Sequence, residues 1–362
     1  MFQYKSKMLY CLTLIVFLLM NGCDRSTSIF ESSLTPAEEP PYELEPVAEP
    51  PVKTSPCVVL SHSRYRYYSL AQEIQSYYDG ALLHINDNNQ EQLVEKLKLI
   101  KPQNAIIVLP PNIIKEEVVS DLFLAFCSLD NDYYIDIGYG YITGYTLEDA
   151  YDLFTRSKVD TSAIGSYLAV SHVFEGDEWC RSAIDQYKLD FSRHDWESYT
   201  IVVEGDHWLA DRSAEMMKFK QNQIIFFIGH GSENSSCGIH TNDLDSVSLS
   251  GNIIFSGTCY TGAISSPYPS TDFIALKILH QGANFYISNV DGNGWANVVF
   301  IAAGICEQGM SFGEAIVAGI NREINFYNLK SFDDMNDIKH IISFGDPFYK
   351  PKLKSKVDLY FP

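Results

Sequence analysis

His230 and Cys259 are the residues of this chain best placed by their neighbours for covalent chemistry. Ile224-Ile225-Phe226-Phe227-Ile228-Gly229 leads into His230-Gly231-Ser232-Glu233, and Ile253-Ile254-Phe255-Ser256-Gly257-Thr258 leads into Cys259. An imidazole can take and return a proton near neutral pH, and a thiolate can attack a carbonyl carbon. Each apolar run has the length of a buried strand. Two such strands lying parallel as neighbours would deliver both side chains to one sheet edge, where the clefts of open α/β folds form.

Taken singly, each residue has an ordinary explanation. His230 alone is equally well a histidine that caps a strand, and Cys259 alone reads as a buried strand-end thiol. Together they are a nucleophile and its base. Glycines support the pairing: Gly229 and Gly231 flank His230, while Gly257 and Gly262 bracket Cys259. Such positions permit a sharp turn and close approach of a substrate. The amide of Cys259 is then available to a developing oxyanion.

The elements that must position these residues follow from the pattern of apolar runs. Strands are expected over 58–62, 81–85, 105–109, 133–142, 166–172, 199–204, 224–228, 253–257 and 283–288. Helices are expected over 69–79, 90–100, 116–129, 146–158, 178–187, 211–220, 271–280, 296–307 and 312–321. This alternation predicts an α/β fold, three layers deep, with a mostly parallel sheet between helices. No linker breaks it near residue 160, so an N-terminal α/β subdomain (57–158) and a catalytic subdomain (159–362) should adjoin. The polar connection 232–251 leaves no room for a long helix.

Composition narrows the function. A chain of 362 residues that is 46% hydrophobic and 13% aromatic is globular, and a net charge of −20 argues against nucleic-acid binding. Residues 1–22 read as a signal peptide, with Lys5 and Lys7 ahead of an apolar stretch too short for a comfortable membrane span. Leu18-Leu19-Met20-Asn21-Gly22-Cys23 resembles a bacterial lipoprotein signal, which implies lipidation at Cys23 and a membrane anchor in the cell envelope. An ordinary cleaved signal or an uncleaved anchor is the alternative. Residues 23–56, rich in Pro and Glu, read as a tether. The remaining cysteines, Cys57, Cys127, Cys180, Cys237 and Cys306, are spaced too irregularly for a disulfide framework and read mostly as buried thiols. Cys237 and His240 have the spacing of two metal ligands but lack a second pair. Gly138-Tyr139-Gly140-Tyr141-Ile142-Thr143-Gly144 looks superficially like a dinucleotide loop, yet it continues as strand.

Several segments together resemble the gingipain-type family of cysteine endopeptidases, which has a caspase-like fold. They are Gly229 to Glu233, the strand ending at Cys259, Ile287-Ser288-Asn289 through Gly294-Trp295-Ala296, Asp136 to Gly144, Tyr167 to Asp177, and Phe344-Gly345-Asp346-Pro347. The resemblance spans about residues 57–352. It implies Cys259 as nucleophile, His230 as general base, and the amides of Gly231 and Cys259 as the oxyanion hole. It further implies Trp295 at the substrate cleft, Glu175 orienting the histidine, and Asp177 or Glu178 selecting a basic side chain in the substrate. Both latter carboxylates are equally well first-turn helix charges. Protein or peptide substrates follow, with no metal and no cofactor. A second reading is a catalytically inactive caspase-like lipoprotein serving as a surface-binding or secretion-associated module.

Overall fold

A computed structural model of the chain describes residues 54–85, 90–159, 163–173, 197–204, 212–264, 273–292, 296–306, 308–336 and 338–354. The expected signal peptide, nearly all of the tether, and the helix expected over 178–187 lie outside these residues.

Among the described residues, ten strands form one sheet. In chain order they begin with β1 (Cys57–Ser61), β2 (Ala81–His84), β3 (Asn104–Val108) and β4 (Gly138–Ile142), followed by β5 (Ser166–Val173), β6 (Glu197–Glu204) and β7 (Ile224–Gly229). Three short strands, β8 (Gly231–Ser232), β9 (Ser235–Ser236) and β10 (Ile239–His240), make a separate small sheet. The main sheet is completed by β11 (Ile253–Gly257), β12 (Phe285–Asn289) and β13 (Ile341–Phe344), giving the order β2-β1-β3-β4-β13-β12-β11-β7-β5-β6. Strands β5, β7, β11 and β12 are mutually parallel, as are β2, β1, β3 and β4. β13 runs antiparallel to β12.

Every residue of β1, β3, β4, β7, β11 and β12 is buried. Side chains of a strand alternate between faces, so the sheet must be covered on both. The covering helices among the described residues are α1 (Tyr67–Tyr78), α2 (Gln90–Ile100), α3 (Glu116–Phe126), α4 (Leu147–Val159), α5 (Arg212–Gln221), α6 (Ile274–His280), α7 (Ala296–Cys306) and α8 (Phe312–Tyr327). The fold is α/β, a mostly parallel sheet between helices, as expected.

Strands that precede residue 158 lie on one side of β13, and those of the later chain lie on the other. β13 is absent from the pattern of apolar runs, being only four residues long, yet it joins the two groups. Arg156 of α4 adds a second tie across them, donating through Nη1 to the carbonyls of Leu279 (2.7 Å) and Ala283 (3.2 Å) at the end of α6. Helix α8 opens on a reciprocal capping box, with Ser311 N–H donating to Glu314 Oε2 at 2.8 Å and Glu314 N–H to Ser311 Oγ at 3.4 Å. It docks through Phe312, whose ring stacks on Phe285 of β12 at 3.5 Å.

Candidate active site

β7 and β11 are adjacent and parallel, with Gly257 opposite Ile228. Two residues beyond that pair on each strand stand His230 and Cys259. They therefore leave the sheet at the same level, on strands roughly 4.8 Å apart. Both chains turn sharply there. Gly229 has φ +146°, and a Cβ at that position would lie 2.7 Å from the carbonyl oxygen of His172, its partner on β5. Tyr260 takes φ 60°, a left-handed conformation that is costly for a residue with a side chain. The Ala263 N–H closes this turn by donating to the Tyr260 carbonyl at 3.0 Å.

The two loops touch where the Gly231 backbone meets the side chains of Thr258 and Thr261. A Cβ on Gly231 would fall 2.7 Å from Thr261 Cγ2 and 2.8 Å from Cβ and Oγ1 of Thr258. Only glycine lets the residue after His230 rest against the residue before Cys259. The Cys237 N–H holds the His230 carbonyl at 2.9 Å, and the His172 ring stands edge-on to that of His230 with centroids 6.5 Å apart.

From the other side, the end of β12 clamps the Cys259 turn. Tyr260 N–H donates to Asp291 O at 2.7 Å, Gly262 N–H to Asn289 O at 2.8 Å, and Cys259 Sγ to Gly292 O at 3.0 Å. Asp291 is itself fixed by His340, whose Nδ1 lies 2.6 Å from Asp291 Oδ2 and whose Nε2 lies 3.5 Å from Glu116 Oε1. A thiolate has no proton to share with Gly292, so ionisation of Cys259 breaks that contact.

Burial separates Cys259 from the other described cysteines. Cys57, Cys127, Cys237 and Cys306 are buried, whereas Cys259 is partly open. Burial, aided by the Asp346 carboxylate, pushes the Cys57 thiol up to about 12 against the opposing pull of Lys158, and burial likewise raises Cys127 well above its usual range. Neither supplies thiolate near neutral pH. Cys237 sits in the turn between β9 and β10, and the His240 N–H caps a short helical turn by donating to Asp243 Oδ2 at 2.9 Å. Gly138–Ile142 is a buried strand, with Tyr139 and Tyr141 packed inside.

Beneath the Cys259 turn lies a cluster that the sequence pattern did not single out: the buried hydroxyls of Ser236, Ser256, Thr258, Thr261 and Ser288. Its signal was present in the polar residues Ser256 and Thr258 interrupting a buried run, with Thr261 just beyond the partly open Cys259 and Tyr260. Cys23, Glu175, Asp177, Glu178 and Trp295 lie outside the described residues.

Residues 75–352 match peptidase family C25. The chain belongs to this family, the gingipain family of cysteine endopeptidases. None of the curated proteins compared matches it. Among solved structures, the Arg-specific cysteine proteinase gingipain R aligns with a TM-score of 0.63 at 14% identity, over 84% of this chain and 81% of that one. A complex of the pro- and mature domains of RgpB from Porphyromonas gingivalis gives 0.62 at 13% identity, over 82% and 80%. A third, described simply as a protease, gives 0.56 at 12% identity, over 82% and 78%. At such identities the likeness speaks for the fold. Membership of family C25 makes the chain a cysteine-type endopeptidase, and its substrates are proteins or peptides.

Proposed function

We propose that this C25 peptidase cleaves peptide bonds through a Cys259 acyl-enzyme, with His230 as general base and then acid. The observation that carries the reading is the shared level of the two strand ends, sealed by the contact of Gly231 with Thr258 and Thr261. His230 takes the thiol proton, and the sulfur attacks the scissile carbonyl carbon. The carbonyl electron pair moves onto oxygen, where the amides of Gly231 and Cys259 receive it. Collapse expels the amine, which leaves with the proton from His230. Water, deprotonated by the same imidazole, then hydrolyses the thioester and restores the thiol.

In this reading Glu175 orients His230, Trp295 borders the cleft, and Asp177 gives a preference for a basic residue before the scissile bond. The gingipain R match and the acidic composition support that preference. Residues 57–158 form the supporting N-terminal subdomain and 159–362 the catalytic one. The enzyme is exported to a bacterial cell envelope and held there through lipid on Cys23. A peptide-library cleavage profile of protein lacking residues 1–56, run beside Cys259→Ala, tests the assignment. Turnover and labelling by a thiol-directed peptide probe should vanish in the variant; persistent hydrolysis would show that the nucleophile lies elsewhere. Enrichment of Arg or Lys before the cleaved bond supports the acidic pocket, and a profile without it removes Asp177 from that role.

A further inference from the structure

We propose that Thr261 is a positioning residue: through a buried cluster of hydroxyls it holds the Cys259 turn in register with the His230 loop. The proposal deepens the reading of Cys259 and His230 just given and rests on it. Thr261 is fully buried, and its Oγ1 lies 2.9 Å from Ser256 Oγ, 2.9 Å from Thr258 Oγ1 and 2.5 Å from Ser288 Oγ. It also donates toward the Thr258 carbonyl at 3.2 Å. Ser236 Oγ joins from β9, 3.1 Å from Thr258 Oγ1 and 3.4 Å from Ser256 Oγ. One side chain thus meets β11, β12 and the nucleophile turn, with the β9 hairpin one bond further on.

The rest of Thr261 faces the same parts. Its Cγ2 is the floor on which Gly231 sits, and its carbonyl accepts from Tyr286 Oη of β12 at 3.0 Å. Thr261 therefore acts through Thr258, the neighbour of Cys259, and through Gly231, the neighbour of His230.

A hydroxyl offers one proton and two acceptor sites, three bonds in all, so four oxygen neighbours more than fill the capacity of Thr261. Apolar packing at this level would bury more carbon and tolerate small sliding of one strand end past the other. Directional bonds do not, because a shift that strands any of these hydroxyls leaves it unpaired away from water. The cluster is arranged to hold an angle and a distance.

The test uses Thr261→Val, which keeps the shape and loses the hydroxyl, and Thr261→Ser, which keeps the hydroxyl. Rates are taken per titrated active thiol, alongside Tm and the pH dependence of Cys259 alkylation by iodoacetamide, with the adduct located by peptide mass spectrometry. Thr261→Val should lower kcat on the order of 100-fold with KM little changed. Its alkylation profile should move to higher pH, since an imidazolium held further from sulfur stabilises the thiolate less. Thr261→Ser should restore both. A folded Thr261→Val with only a lower Tm, and with wild-type kcat and alkylation profile, overturns the proposal. If that variant does not fold, Ser288→Ala, which removes the partner at 2.5 Å, is read by the same two outcomes. If the wild type hydrolyses no peptide, the catalytic reading fails. The alkylation profile alone then decides for Thr261: a shift supports the positioning role, and an unchanged profile removes it.

Discussion

Replacing Gly231 with alanine asks whether its contact with Thr258 and Thr261 sets the distance between His230 and Cys259. The added methyl would lie 2.7 Å from Thr261 Cγ2 and 2.8 Å from Thr258 Cβ and Oγ1. Carbon atoms settle at about 3.5–4.0 Å, so the loops must part by roughly 1 Å to admit it. The displacement falls where it matters, because Gly231 follows His230 and Thr258 precedes Cys259. A misplacement of ~1 Å costs on the order of 100-fold in rate, mainly in kcat. Overpacking should also cost about 1–3 kcal/mol of stability. The assay is kcat and KM on a cleaved library peptide, normalised to titrated thiol, with urea unfolding beside it. Gly165→Ala is the control: its methyl would meet Lys354 Cδ at 2.7 Å, on a flexible side chain that can swing aside. That variant should keep wild-type kcat. If Gly231→Ala loses stability but also keeps wild-type kcat, the idea that this contact sets the catalytic geometry is refuted.

Two further substitutions probe charge in the interior. Lys158 Nζ lies 2.9 Å from the buried Asp346 Oδ2 and within 4.0 Å of the Phe154 ring centroid, and Asp346 also accepts from Tyr78 and Ser157. Lys158→Met strands that carboxylate and should cost about 3–5 kcal/mol in urea unfolding, with kcat per folded molecule unchanged; a loss within error would show that the pair is already hydrated. The Asp136 carboxyl is raised to about 6, first by burial and then by Asp130 and Asp132. Its folded pKa lies above its unfolded value, so the stability it confers is full below about pH 4 and is lost as pH rises through about 6. Asp136→Asn should therefore raise Tm at pH 8 and leave it unchanged at pH 4, and equal effects at both would refute the shift.

The strands carrying His230 and Cys259 were legible because each is apolar on both faces and ends beside glycine, a purely local signal. What escaped notice depends on distant partners. β13 is four residues, Ile341–Phe344, and becomes a strand only because β12 and β4 offer edges to it, with Phe344 opposite both Tyr286 and Tyr141. Helix α8 outruns its expected end at residue 321 because tertiary bonds extend it. Asn321 exchanges bonds with the Ile135 backbone at 2.8 and 2.9 Å, and Tyr134 Oη donates to Asn325 Oδ1 at 2.6 Å. The stretch expected to be extended over 133–142 narrows to Gly138–Ile142. Ahead of it, Asp130 and Asp132 side chains accept from the Asp132 and Tyr134 amides and bend the chain. In the polar connection 232–251, Cys237 and Gly238 at φ 49° and 74° turn the chain into the β9–β10 hairpin. The hydroxyl cluster hid for the same reason as β13, since Ser236 and Ser288 meet Thr258 and Thr261 only after folding.

The position of β13 bears on the chemistry as well as on the sheet. His340, directly before it, binds the Asp291 carboxylate through Nδ1 and receives the Val290 N–H on its carbonyl at 3.0 Å. The strand that joins the two sides of the sheet thereby anchors the segment whose carbonyls hold the Cys259 turn. Two of the three clamping bonds, from the Tyr260 and Gly262 amides, involve no titrating proton and persist when sulfur ionises. The third, from Cys259 Sγ to Gly292, cannot. In the proposed mechanism, proton transfer to His230 would thus free the sulfur alone while the turn stays in place, keeping the amides proposed for the oxyanion hole where they are.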